Sequence, residues 1–284
     1  MPSRSDLAMG SGRRGRGPKG RGPRRGELAG FLALGLFLAL IALLLIPPQA
    51  PRPPPAASSA TTARMRAAIV DQLGALFPNP AFLSEAKALL RRAGFEVDVY
   101  GPGEVTMSLY ASLPARGYRL IVYRVHSGVG EWPGGRIVGL FTTEAYSPLA
   151  YPREQLAKLI GPAQAFEGGD VVFAIAPGFI RDRSIMDYGG AVIILMGCFG
   201  LYGEELPRAF IDRGASAVIG WTGLVDIDHT DEATLLLLRG LLGGMSIEEA
   251  VGEAARAVGP GSNGHSALGY YPPGRGALRI RAGR

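Results

Sequence analysis

A chain of 284 residues with 47% hydrophobic residues can bury a sizeable core, but its one cysteine, Cys198, excludes an intrachain disulfide framework. The formal net charge is +6, from 30 basic and 24 acidic residues. Eight of those basic and two of those acidic residues fall within positions 1–27, leaving 22 of each sign, so the body of the chain offers no charge-based case for nucleic-acid binding.

Residues 1–27, with "GSGRRGRGPKGRGPRRG" at their centre, are too rich in glycine and cation to bury a core and read as a disordered cytoplasmic arm. The uncharged run "LAGFLALGLFLALIALLLI" at 28–46 follows. At a rise of about 1.5 Å per residue it reaches roughly 28 Å, close to the hydrocarbon thickness of a bilayer. It reads as a single transmembrane helix, and the preceding basic arm puts the N-terminus in the cytoplasm and the rest of the chain outside. The competing reading is a cleaved signal peptide, against which stand the length of the apolar run and the prolines that follow it. The stretch at 47–62 is a semi-rigid spacer of polyproline type. Residues 63–284 then suffice for one α/β domain.

Within that domain strands and helices alternate. "RAAIVDQL" is a first strand and "NPAFLSEAKALLRRAG" a helix that Gly94 stops. "FEVDVYG" alternates apolar and acidic residues, as a strand near a sheet edge does. A short helix around "EVTMSLYASL" leads to a third strand at 118–125 and then His126; a fourth at 191–197 leads to Cys198. A helix in "GEELPRAFIDRG", a fifth strand "ASAVIGW", two helices in "DEATLLLLRGLLGG" and "SIEEAVGEAARAVG", and a possible short strand "ALRI" complete the order. This rhythm predicts a mostly parallel sheet flanked by helices on both faces. Between His126 and Cys198, the strand-like "GRIVGLFTTEAYS" and "DVVFAIAPGFI" flank a helix-like "PREQLAKLIG". That stretch reads as an insertion on the site's edge, a candidate wall for a substrate cleft.

Two parallel strands that run out into a thiol and an imidazole place both on the edge where open α/β sheets carry their sites. Cys198 is the candidate nucleophile and His126 the general acid/base, with the N–H groups of Gly128 and Cys198 as oxyanion donors. Trp221, at the end of the fifth strand, is either core packing or a wall of the cleft. Asp187, Asp226 and Asp228, in loops taken to lie near the same edge, are candidate selectors of a basic residue in a protein or peptide substrate. His229, in "DIDHTDE", precedes a helix and reads as a cap. His126, Cys198, His229 and His265 lack any metal-ligand spacing, and no cofactor is called for.

In order, "GFEVDVYG", "YRLIVYRVHSG", "VIILMGC", "LPRAFIDRGASAVIGWTG" and "GGMSIEEAVGEA" resemble the caspase-hemoglobinase fold of clan CD cysteine peptidases. The last two segments are similar to the CHAT branch, related to separase. The resemblance covers residues 66–258 and implies a caspase-like sheet and peptide-bond hydrolysis by a Cys198–His126 dyad, with no third orienting residue. The family pattern has glycine directly after the catalytic histidine, whereas Ser127 here precedes Gly128. Two other readings stay open: a non-catalytic binding or scaffolding module of the same fold, and an amidotransferase-like cysteine hydrolase suggested by "MGCFG". The latter class carries a His-x-Glu pair after the cysteine, and His229 is followed by Thr230, Asp231 and Glu232 instead.

Overall fold

A computed structural model describes residues 65–261 and 264–280. The basic arm, the apolar segment 28–46 and the proline-rich spacer lie outside the described residues. Among the described residues no helix is long and apolar enough to cross a membrane.

Five parallel strands form the main sheet. They are β1 (Met65–Asp71), β2 (Phe95–Tyr100), β3 (Tyr118–Arg124), β8 (Val192–Leu195) and β9 (Ala217–Trp221). A sixth, β10 (Leu268–Tyr271), runs antiparallel to β9, giving the order β10-β9-β8-β3-β1-β2. The strand with alternating acidic residues, β2, is an edge strand, and the near-continuous apolar runs of β3 and β8 lie inside.

Alternate residues along β3 divide between two cores. Leu120 and Val122 pack with apolar residues of α1 (Pro80–Arg92), α6 (Ile227–Leu242) and α7 (Ile247–Val258). Ile121, Tyr123 and Val125 pack with those of α2 (Met107–Ser112), α4 (Pro177–Arg183) and α5 (Glu205–Asp212) on the opposite face. The helix starts follow local chemistry. Asn79 caps α1 by accepting from Phe82 N–H at 3.0 Å, and Ser246 and Glu249 form a reciprocal capping box on α7.

The excursion between His126 and Cys198 builds a separate antiparallel sheet, β4-β5-β7-β6. Its strands are β4 (Ser127–Trp132), β5 (Gly135–Ala145), β6 (Ile160–Gln164) and β7 (Val171–Ile175). Three expectations need correction. The helix foreseen in "PREQLAKLIG" is only a short α3 (Pro152–Leu156), after which the chain enters β6. "DVVFAIAPGFI" breaks at Ala176, because Pro177 starts α4. "ALRI" contributes only an isolated bridge between Arg279 and Ser246, and the sixth strand comes from "LGYY".

Candidate functional site

β3 and β8 pair in a fixed register, from Leu120 opposite Val192 to Tyr123 opposite Leu195, and Met196 N–H donates to Tyr123 O at 3.0 Å. His126 follows the end of β3 by two residues and Cys198 the end of β8 by three. Adjacent strands lie about 4.8 Å apart, so the two residues leave the carboxyl edge of the sheet side by side.

The backbone around Cys198 is closely held. A Cβ on Gly197 would collide with Val125 O and Ser127 Oγ, so only glycine lets β8 run out this close to β3. Ser127 Oγ donates to Cys198 O at 2.5 Å. Phe199 then turns the chain with φ 62, and its N–H donates to Gly223 O at 2.8 Å. Cys198 itself is half-buried. Its Sγ lies 3.5 Å from Val225 N and 3.6 Å from Val225 O, in the loop between β9 and α6, and makes no hydrogen bond to His126 among the described residues. The Cys198 N–H has no hydrogen-bond partner among the described residues.

His126 is fixed through its main chain: its N–H donates to Gln72 Oε1 at 2.8 Å and its carbonyl accepts from Phe141 N–H at 2.9 Å. The rings of Phe77 and Phe141 flank the imidazole, each with its centroid 6.0 Å away. Its Nε2 is buried without a partner among the described residues. Burial lowers its pKa below 6.5, which favours the neutral, proton-accepting imidazole.

His126 and Cys198 line one cavity of about 650 Å³, together with Asp226 and Asp228. Part of the wall is Arg124, 0% exposed. Its guanidinium grips Asp231 with two bonds of 2.8 Å and Asp71 with a third of 2.8 Å. Asn79 Nδ2 adds a bond of 3.0 Å to Asp231. The cluster therefore ties the ends of β1 and β3 to the N-cap of α1 and the second turn of α6, the frame around both candidate groups. Two carboxylates already occupy the one guanidinium, so Asp226 and Asp228 leave the cavity with an excess of negative charge. Arg124 was missed from the sequence; a lone cation inside the apolar run "LIVYRV" was the available signal.

A second lobe of about 410 Å³ shares His126 and Ala165 with the first cavity but not Cys198. The remaining expected residues divide. Asp226 and Asp228 line the cavity of His126 and Cys198. Trp221 is 1% exposed, and its indole donates to Thr230 Oγ1 at 3.0 Å; it packs in the core and cannot line a cleft. Asp187 precedes β8, at the amino end of the strand whose carboxyl end leads to Cys198, and pairs with Arg213 at 3.4 Å. It stands on the wrong edge of the sheet to meet a substrate. Gly128 is carried off by β4, where it lies opposite Gly139 and lines a separate cavity of about 280 Å³. His229 is no cap, because α6 starts at Ile227; its ring lies 5.2 Å from that of Trp221. Among the described residues no group of three or more His, Cys, Asp or Glu side chains could hold a metal ion.

No protein-family model matches the chain, and no curated protein matches it.

Proposed function

We propose that the chain is a cysteine hydrolase that cleaves peptide bonds through Cys198 and His126, in a caspase-like domain anchored to the membrane by residues 28–46 and held outside it. The observation that carries this reading is that both residues line one cavity, just beyond the carboxyl ends of neighbouring parallel strands. The order β2-β1-β3-β8-β9-β10, with only the last strand reversed, supports the resemblance to the caspase-hemoglobinase fold.

The chemistry follows from the two groups. The sulfur of Cys198 forms a bond to the acyl carbon as its proton passes to His126, and the carbonyl electrons move onto an oxyanion that Cys198 N–H can meet. The C–N bond then breaks, the proton on His126 goes to the departing nitrogen, and a thioester remains. Water, deprotonated by His126, attacks the thioester carbon and releases the acid and the thiol. Asp226 and Asp228 favour a lysine or arginine on the acyl side, where the cavity carries excess negative charge.

The second reading is a binding module of the same fold without turnover. It draws on the contact of Cys198 Sγ with Val225 rather than with His126. Incubating the full chain with peptides bearing a basic residue, beside the Cys198→Ala variant, separates the two. Cleavage by the first protein alone supports the hydrolase; equal inertness of both supports the binding module.

A further inference from the structure

We propose that the second lobe is the leaving-group subsite of this hydrolase, that it accepts an apolar side chain, and that Gln72 donates a hydrogen bond to a carbonyl oxygen of the departing segment. The inference rests on the hydrolase reading above.

Gln72 is 7% exposed and follows β1 directly. Its Oε1 is committed to His126 N–H at 2.8 Å, which fixes the orientation of the amide. Its Nε2 has no hydrogen-bond partner among the described residues, although Gln72 lines the lobe. The amide donors are therefore open to a carbonyl oxygen that enters the lobe.

The direction of the substrate follows from connectivity. The strand order places β1, β3 and β8 next to one another, so Gln72, His126 and Cys198 stand in a row along one sheet edge. Cys198 lines only the first cavity, Gln72 only the second lobe, and His126 both. The acyl group becomes bonded to Cys198 Sγ and so occupies the first cavity. The leaving nitrogen takes its proton from His126, and the second lobe is the cavity that His126 lines without Cys198. Its walls include Phe141 and Val172, with Leu76 and Phe166 55% and 52% exposed at the rim. Large apolar side chains left open to water beside a reactive group suit an apolar partner. Asp170, the carboxylate among the lining residues, disfavours an acidic one.

The test is interception of the acyl-enzyme by added amines. The full chain is acylated with an arginyl-peptide methyl thioester, whose small leaving group does not fill the lobe. Glycinamide, leucinamide or aspartic acid diamide then competes with water for the thioester: the C–S bond breaks, a C–N bond forms, and the amine proton returns through His126 to sulfur. The ratio of amide to acid product is read within one reaction, so changes in overall turnover cancel. The expected ratio for leucinamide is about tenfold that for glycinamide and lowest for the acidic amide. Gln72→Glu, which keeps an oxygen for His126 N–H but removes the donor, lowers the leucinamide ratio about fivefold to tenfold, the loss of one hydrogen bond. Phe166→Ala, at an exposed rim position, narrows the preference for leucinamide over glycinamide. Equal interception by all three amines, or an unchanged ratio in Gln72→Glu, overturns the subsite while leaving the hydrolase standing. Failure to find any acyl adduct on Cys198 by mass spectrometry overturns the hydrolase reading and the subsite with it.

Discussion

Ser127 Oγ donates to the carbonyl oxygen of Cys198 at 2.5 Å, fastening the first residue of β4 to the turn that carries the thiol. The serine that separates His126 from Gly128 thus bridges the two candidate groups through the backbone. Ser127→Ala leaves that carbonyl without its partner in a poorly hydrated position, an expected loss of about 1–3 kcal/mol. Urea unfolding reads the loss, and an unchanged midpoint would show the bond to contribute nothing.

The neighbouring glycine is under a stricter constraint. Gly197→Ala places a methyl group against Val125 O and Ser127 Oγ, and one of those partners is main chain that cannot rotate away. The expected cost is about 1–3 kcal/mol from overpacking, with slower alkylation of Cys198 because β8 must move off β3. A variant with wild-type stability and wild-type alkylation would mean that the strands are freer to separate than their register implies.

Much of this arrangement could be read from residue order. Continuous apolar runs marked β3 and β8, alternation marked β2, and the strand-helix rhythm implied the parallel sheet. The short strands β4, β6 and β10 escaped because glycine and proline interrupt them, as in "SGVGEW" and "IGPAQ", and their pairing depends on partners distant in sequence. Asp187 was misplaced although order alone puts a residue that precedes β8 at its amino end. Gln72 and Arg124 were invisible for another reason. Each acts through contacts with residues 54 and 107 positions away, respectively His126 and Asp231, and neither spacing has a local signature.

Arg124 carries the third prediction. Arg124→Met leaves Asp71 and Asp231 facing a buried gap without their shared cation, and breaking a buried pair in this way costs about 3–5 kcal/mol. The variant Asp71→Asn/Arg124→Met/Asp231→Asn removes the uncompensated carboxylates and should recover part of that loss. Chemical denaturation of both proteins checks this. A triple variant less stable than Arg124→Met would mean that packing of the guanidinium, rather than charge, dominates the site.

His126 sets the pH dependence. Burial depresses its folded pKa below the ordinary 6.5, so the unfolded chain binds a proton at a higher pH than the folded one does. Stability from this group is therefore fully present above about pH 6.5 and is lost as pH falls through the depressed folded value. His126→Gln should flatten that part of the stability profile. The acid limb of hydrolysis should likewise lie below pH 6.5, because the imidazole remains a proton acceptor there. A limb above that value would place the essential ionisation on another group.

The proposed dyad and the two carboxylates of its cavity make the last prediction. Cys198→Ala should abolish peptide hydrolysis with little effect on the fold, since the thiol is half-buried and the deletion is small. His126→Ala should reduce turnover comparably, and the double variant should be no worse than either, because members of one catalytic unit do not lose activity additively. His229→Ala removes a ring packed beside Trp221 and should affect stability more than turnover. Asp226→Asn and Asp228→Asn together should lower kcat/KM for peptides with a basic acyl-side residue, while peptides with a neutral residue there lose little. Two comparisons decide the assignment: kcat/KM for arginyl against norleucyl peptides, and turnover of the His126 against the His229 variant. Full activity in His126→Ala, or an equal loss for both peptides in the double Asp variant, would remove the dyad or the acidic selector from the mechanism.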